Sequence, residues 1–189
     1  MISIRVLATS ALLAFTAMPA PAADDILDAI DQARKAYQSG NLGEAKQSLD
    51  LASQLIGQKN AEGFAALLPA PLPGWTAEKA ETTAVGSTAF GASMASRRYS
   101  NGKGQEVEVQ ITGDSAVIAP MATFLANPQI AGAMGKIARV GNLRALVSAE
   151  GDVNMIVANK FLVSVQGSAP ADAKMAYAQA VDVAKLSKM

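Results

Sequence analysis

The chain has 189 residues, with 16 Lys and Arg balancing 16 Asp and Glu, and it contains no His and no Cys. Those two absences exclude an ordinary zinc site, His-ligated haem, a Cys nucleophile and a Ser-His-Asp triad. Any catalysis would rest on carboxylates, Lys, Tyr or Ser-Lys pairs. The charge balance offers no basic footprint for nucleic acid, and neither a metal nor a cofactor is expected.

The N-terminus points to export. Arg5 precedes an apolar run from Val6 to Met18, the length of a signal-peptide core and too short to span a bilayer. Ala20-x-Ala22 is the small-residue pattern a signal peptidase accepts, which predicts a signal peptide over 1–22, cleaved after Ala22 or Ala23. No Cys lies near the cut, so lipid attachment is excluded. The mature chain would have 167 residues (189 less 22), and losing Arg5 would leave 15 basic against 16 acidic residues. No later segment offers 18 consecutive apolar residues, so the expectation is a periplasmic protein without a transmembrane anchor, secretion being the alternative. Without Cys in an oxidising compartment, stability must come from packing alone.

Residues 23–58 read as a helical hairpin. Ile26, Ile30, Ala33 and Tyr37 recur on one helical face, and Ala45, Leu49, Ala52 and Ile56 form a second stripe. Asp24, Asp25 and Asp28 suit the first helix's N-terminus, and Gly40 and Gly57 read as the two helix stops. The run Ala36-Tyr37-Gln38-Ser39-Gly40-Asn41-Leu42-Gly43-Glu44-Ala45, with Leu49 and Ala52 after it, resembles one tetratricopeptide repeat of about 34 residues. The repeat's terminal Pro is missing and no second copy follows, so a peptide-binding array is not implied, because a solenoid needs roughly three repeats to bury its faces. What the resemblance implies is a helical pair that docks another protein, packs on the main domain, or pairs with its own copy.

Residues 59–74 read as a Pro-rich linker, with Pro69, Pro71 and Pro73 in alternation. Trp75, the single Trp, opens an α+β domain over 75–189. A hairpin is expected from Ala92 to Tyr99 and Gln105 to Thr112. A two-residue turn at Gly102-Lys103 would set Arg97 opposite Glu108 on a wet face. It would leave Arg98 among apolar neighbours, where a guanidinium needs a partner, an anion or a route to the sheet edge. The apolar segment 120–134 should begin a short helix at Pro120, with Met121, Phe124 and Met134 as core filler or as a lid.

A meander follows: Ile137 to Val140, Leu143 to Ala149, then a hairpin over Val153 to Gly167. A two-residue turn at Gly141-Asn142 places Arg139 opposite Arg144. A turn at Asn159-Lys160 would leave both faces of the last hairpin apolar and requiring two covers. An Ala-rich helix over about 171–187 closes the chain. The expected fold is therefore α+β: a helical hairpin, then a mainly antiparallel sheet of five to seven strands packed by a short helical segment and a C-terminal helix.

Chemistry is sparse. Asp114, Glu150 and Asp152 sit in turns, where carboxylates usually cap backbone, and their spacing fits no EF-hand. The functional expectation is a non-enzymatic exported binding or interaction protein, contacting another envelope protein or itself through the helical hairpin. Candidate contact residues are Tyr37, Leu42, Arg98, Met121, Phe124 and Met134. The alternatives are a carrier holding a small apolar ligand under Met121–Met134, and a carboxylate-based hydrolase.

Overall fold

A computed structural model describes residues 24–84, 92–113, 118 and 135–189. The expected signal peptide, the helix expected over 120–134, and the turn residue Asp114 lie outside the described residues.

Helix α1, Asp25–Gln38, starts where the Asp24 carboxylate accepts hydrogen bonds from the Ile26 and Leu27 amides, and it ends before Gly40 at φ +79°. Asn41 caps α2, Leu42–Leu67. Its carbonyl oxygen accepts from the Glu44 amide at 3.2 Å, and its side-chain amide donates to the Glu44 carboxylate at 2.8 Å. These two bonds hold the tight turn that sends α2 back antiparallel to α1.

The expected stop at Gly57 does not occur. A Cβ there would sit 3.3 Å from the Ala84 Cβ, and one at Gly63 would sit 2.7 Å from the Met189 Cε. These glycines let β2 and the C-terminus approach the helix, so α2 runs unbroken for 26 residues, about 39 Å. The extended stretch therefore begins at Leu68, not at residue 59.

Among the described residues eight strands form one antiparallel sheet, one more than the largest number expected. They are β1 Trp75–Ala77, β2 Glu81–Ala84, β3 Ser93–Asn101, β4 Glu106–Gly113, β5 Lys136–Val140, β6 Leu143–Val147, β7 Val153–Val157 and β8 Phe161–Gln166. Their order is β1-β3-β4-β8-β7-β6-β5, with β2 also pairing β3.

Two registers differ by one residue from the sequence expectation, for one reason: both turns hold three residues. At Gly102-Lys103-Gly104 the last glycine takes φ +72°, and Asn101 pairs across to Gln105. Arg98 then faces Glu108, and Arg97 faces Val109. It is Arg97, not Arg98, that shares the core face. In the last hairpin Ala158 and Asn159 both take positive φ, setting Val157 opposite Phe161 and Met155 opposite Val163. The fully buried side chains therefore fall on one side. Val153, Met155, Val157, Phe161, Val163 and Val165 are buried, whereas Asn154, Ile156, Leu162 and Ser164 form a mixed, half-buried outer row. The expectation of two apolar faces is thus corrected to one apolar and one mixed. The β5–β6 turn keeps its two residues, and Arg139 does face Arg144, both exposed.

The inner face is covered by the second half of α2, through Ala61 and Phe64, by Leu68 just after it, and by the C-terminal helix. That helix is not continuous to 187. α3 spans Ala171–Ala180, Val181 adopts an extended conformation, and α4 spans Val183–Leu186 with Asp182 as its cap. The hydrogen bond from the Lys185 amide to the Asp182 carboxylate, with that from the Lys185 side chain, holds this carboxyl below its usual range.

The Pro-rich segment is not a free spacer. The Tyr99 hydroxyl donates to the Pro69 carbonyl at 2.6 Å, and the Leu72 amide donates to the Tyr177 hydroxyl at 3.2 Å. Trp75 meets Tyr177 edge-on at 5.5 Å, and Tyr99 lies 4.4 Å from Tyr177. Three aromatic residues thus clamp residues 68–75 onto the sheet. Burial pushes the Tyr99 phenol up to about 12 and raises that of Tyr177.

Candidate functional site

The helical hairpin is built the reverse of a simple amphipathic pair. Its fully buried seam is small: Ala29, Ala33 and Ala36 of α1 against Ala45, Ser48 and Ala52 of α2, with Ile26 and Leu55 half-buried at its base. The large apolar residues that the stripes assigned to the buried side stand in solvent. Ile30 is 42 % exposed, Tyr37 69 %, Leu42 65 %, Leu49 56 % and Ile56 43 %, and Leu27 joins them at 60 %. The stripes blended two neighbouring faces. Ala33, Ala45 and Ala52 belong to the seam; Ile30, Tyr37, Leu49 and Ile56 lie roughly a quarter-turn beyond it.

Apart from Leu27, those residues share one side of the hairpin. At 100° per residue, the large side chains of each helix are displaced from its Ala seam in the direction of increasing residue angle. The helices run antiparallel, so the two displacements turn toward the same open face. Tyr37 and Leu42 lie at the loop end, Ile30 and Leu49 midway, and Ile56 with the half-buried Ile26 at the base, whereas Leu27 falls about 150° from the seam, on the outer side of α1. Taking about 200 Å² for each large residue, the five on that face leave roughly 550 Å² of apolar surface open. That matches the largest patches found on typical monomers, which are often functional. The first half of α2 carries α1, and α2 packs on the sheet only from Gly57 onward. The face therefore belongs to an arm beside the sheet.

A second feature is a shallow cavity of about 260 Å³ at one end of the sheet's outer face, lined by Arg98, Glu106, Glu108, Asp152, Gln166 and Gly167. Arg98 meets Glu78 at 3.5 Å here, with both side chains about half exposed. This is a solvated ion pair, worth about 0–1 kcal/mol. Glu106 and Glu108 alternate outward along β4. Asp152 is already engaged by Lys174, whose ammonium lies 2.6 Å from its Oδ1 and donates at 2.8 Å to the Glu150 carbonyl. Among the described residues no cluster of three or more Asp or Glu is placed to hold a metal ion.

Of the six candidate contact residues, Tyr37 and Leu42 lie together at the tip of the arm's open face, and Arg98 lies on the polar outer sheet face. Met121, Phe124 and Met134 lie outside the described residues. Sequence reasoning passed over Lys174, which is buried on α3. Its signal was available: Lys174, Tyr177, Ala178 and Val181 make an i, i+3, i+4, i+7 stripe with a cation inside it. Arg97 was also assigned to the wrong face. Its Nη1 donates to the Pro69 carbonyl at 3.4 Å, and its Nε is buried without a partner.

The fold and surface together define an antiparallel α+β protein with a projecting two-helix arm. Compared with known protein families, with characterised proteins and with solved structures, the chain shows no match. No helix among the described residues is long and apolar enough to cross a membrane.

Proposed function

We propose that this chain is an exported, non-enzymatic interaction protein of the periplasm whose contact surface is the open face of the α1–α2 arm. One observation carries the reading: large apolar side chains from both helices stand on one exposed face, while the fully buried seam between the helices is made of Ala and Ser. Burying such a face would yield about 25 cal/mol per Å², so a partner covering it gains about 14 kcal/mol before the costs of association and ordering. The export half rests on the Arg5, Val6–Met18 and Ala20-x-Ala22 pattern.

The test is a photo-crosslinking side chain at position 49, on the open face, against one at position 76, on β1, in intact cells. A discrete adduct from position 49 alone supports the reading. Equal adducts from both positions, or none from 49, reject it. Fractionation with N-terminal sequencing tests export, and a product still beginning at Met1 rejects it.

A further inference from the structure

The docking-face reading leaves the partner unnamed. Resting on that reading, we infer that the occupant is a second copy of this chain, seated antiparallel about a two-fold axis that lies in the interface and crosses both helices at the level of Ile30 and Leu49. An isologous interface requires a face that matches itself after half a turn. This one does. Leu42, Leu49 and Ile56 are spaced seven apart along α2, so a copy reversed about Leu49 sets Leu42 against the other chain's Ile56 and Leu49 against its own equivalent. On α1 the same operation sets Tyr37 against Ile26 and leaves Ile30 near the centre.

The flanking charges obey the same axis. Asp31 and Arg34 pair at 3.0 Å on the α1 flank, and Lys46 and Asp50 pair at 2.8 Å on the α2 flank. Each flank carries one charge of each sign, so the rim favours neither a cationic nor an anionic partner. Reversal brings Asp31 of one copy to the level of Arg34 of the other, and Lys46 within about half a turn of Asp50. Apolar centre and charged rim are therefore both self-complementary. The area agrees: roughly 550 Å² of apolar face plus a charged rim approaches the ~800 Å² per partner of a standard stable interface. The product is a four-helix arrangement of two arms with the sheets at its ends.

The chain has no native Cys, which makes a clean probe. Leu49→Cys puts one thiol per chain beside the axis, and Leu51→Cys puts one on an exposed position across α2 from that face. The expected result for the processed full-length protein is a dimer by sedimentation equilibrium at micromolar concentration. Leu49→Cys should form a disulfide-linked dimer under mild oxidation, and Leu51→Cys should not. Lys46→Glu should weaken the dimer several-fold, and adding Asp50→Lys should restore it. A monomer, equal crosslinking from both thiols, or no rescue by the charge swap overturns the inference. The two readings fail separately. A monomer that still gives a single foreign adduct from position 49 in cells ends the second-copy inference and leaves the docking face standing, whereas a monomer without any adduct ends both.

Discussion

Removing Asp152 should destabilise this protein more than removing Lys174, although the two share one salt bridge. The Lys174 side chain is 2 % exposed and that of Asp152 is 33 % exposed. Asp152→Ala strands an ammonium in the core with the Glu150 carbonyl as its remaining partner, and an uncompensated buried charge costs about 3–5 kcal/mol. Lys174→Met keeps the aliphatic stem packed and leaves a carboxylate that water can reach, a cost nearer 1 kcal/mol. The double variant has no stranded charge, so it should fall close to Lys174→Met and well short of the sum. For a chain of this size each kcal/mol shifts Tm by roughly 2–4 °C, so the expected losses are about 10 °C for Asp152→Ala and a few degrees for the other two. Urea unfolding followed by Trp75 fluorescence is a suitable assay, because the single Trp packs against Tyr177 on the same helix as Lys174. Equal losses in the two single variants, or additivity in the double, would refute the reasoning.

The Tyr99 phenol, raised to about 12 by burial, makes a pH-dependent contribution whose sign follows from linkage. The folded state holds this proton more tightly than the unfolded chain, whose phenol titrates near ~10. The stabilisation is therefore complete below pH ~10 and is lost as pH rises toward 12. Tyr99→Phe should lose about 1 kcal/mol at neutral pH, with its hydrogen bond to Pro69, and should show a shallower alkaline unfolding limb; an unchanged limb contradicts the assignment. Gly113→Ala would place a Cβ 2.5 Å from Phe64, in the edge-to-face pair that Phe64 makes with Phe161, and should cost about 1–3 kcal/mol. Gly102→Ala, facing open space, should stay within about 0.5 kcal/mol in the same melt. Ala33→Leu should overfill the α1–α2 seam and accelerate amide exchange across α1 while β4 and β8 stay protected; uniform loss of protection would show that the arm is not an independent unit.

The elements were largely legible in the chain. Gly, Pro and Asn turns, alternation and helical stripes marked the helical hairpin, the strands from Ser93 onward and a C-terminal helix, and the α+β architecture follows from them. What slipped depended on one residue or on a neighbour. Three-residue turns at Gly102–Gly104 and Ala158–Lys160 cannot be told from two-residue turns by composition, and each slip of one residue moves every side chain to the other face. That is how Arg97 and Arg98 exchanged roles. Gly57 looked like a stop because a glycine stripped of its surroundings is a helix breaker; beside Ala84 and Ser93 it is a close-packing site.

The candidate surface shows the same division. The sequence alone determined that α1 and α2 carry apolar stripes and that the chain has no Cys or His chemistry, since periodicity and composition are local properties. It could not decide which part of each stripe is buried. Ala and Leu compete for the same seam, and only helix–helix approach resolves that competition. The structure seats Ala29, Ala33 and Ala36 on Ala45 and Ala52, so the helices close on small residues and Ile30, Tyr37, Leu42, Leu49 and Ile56 turn outward together. Tertiary packing thus converted two ordinary amphipathic helices into one exposed apolar face.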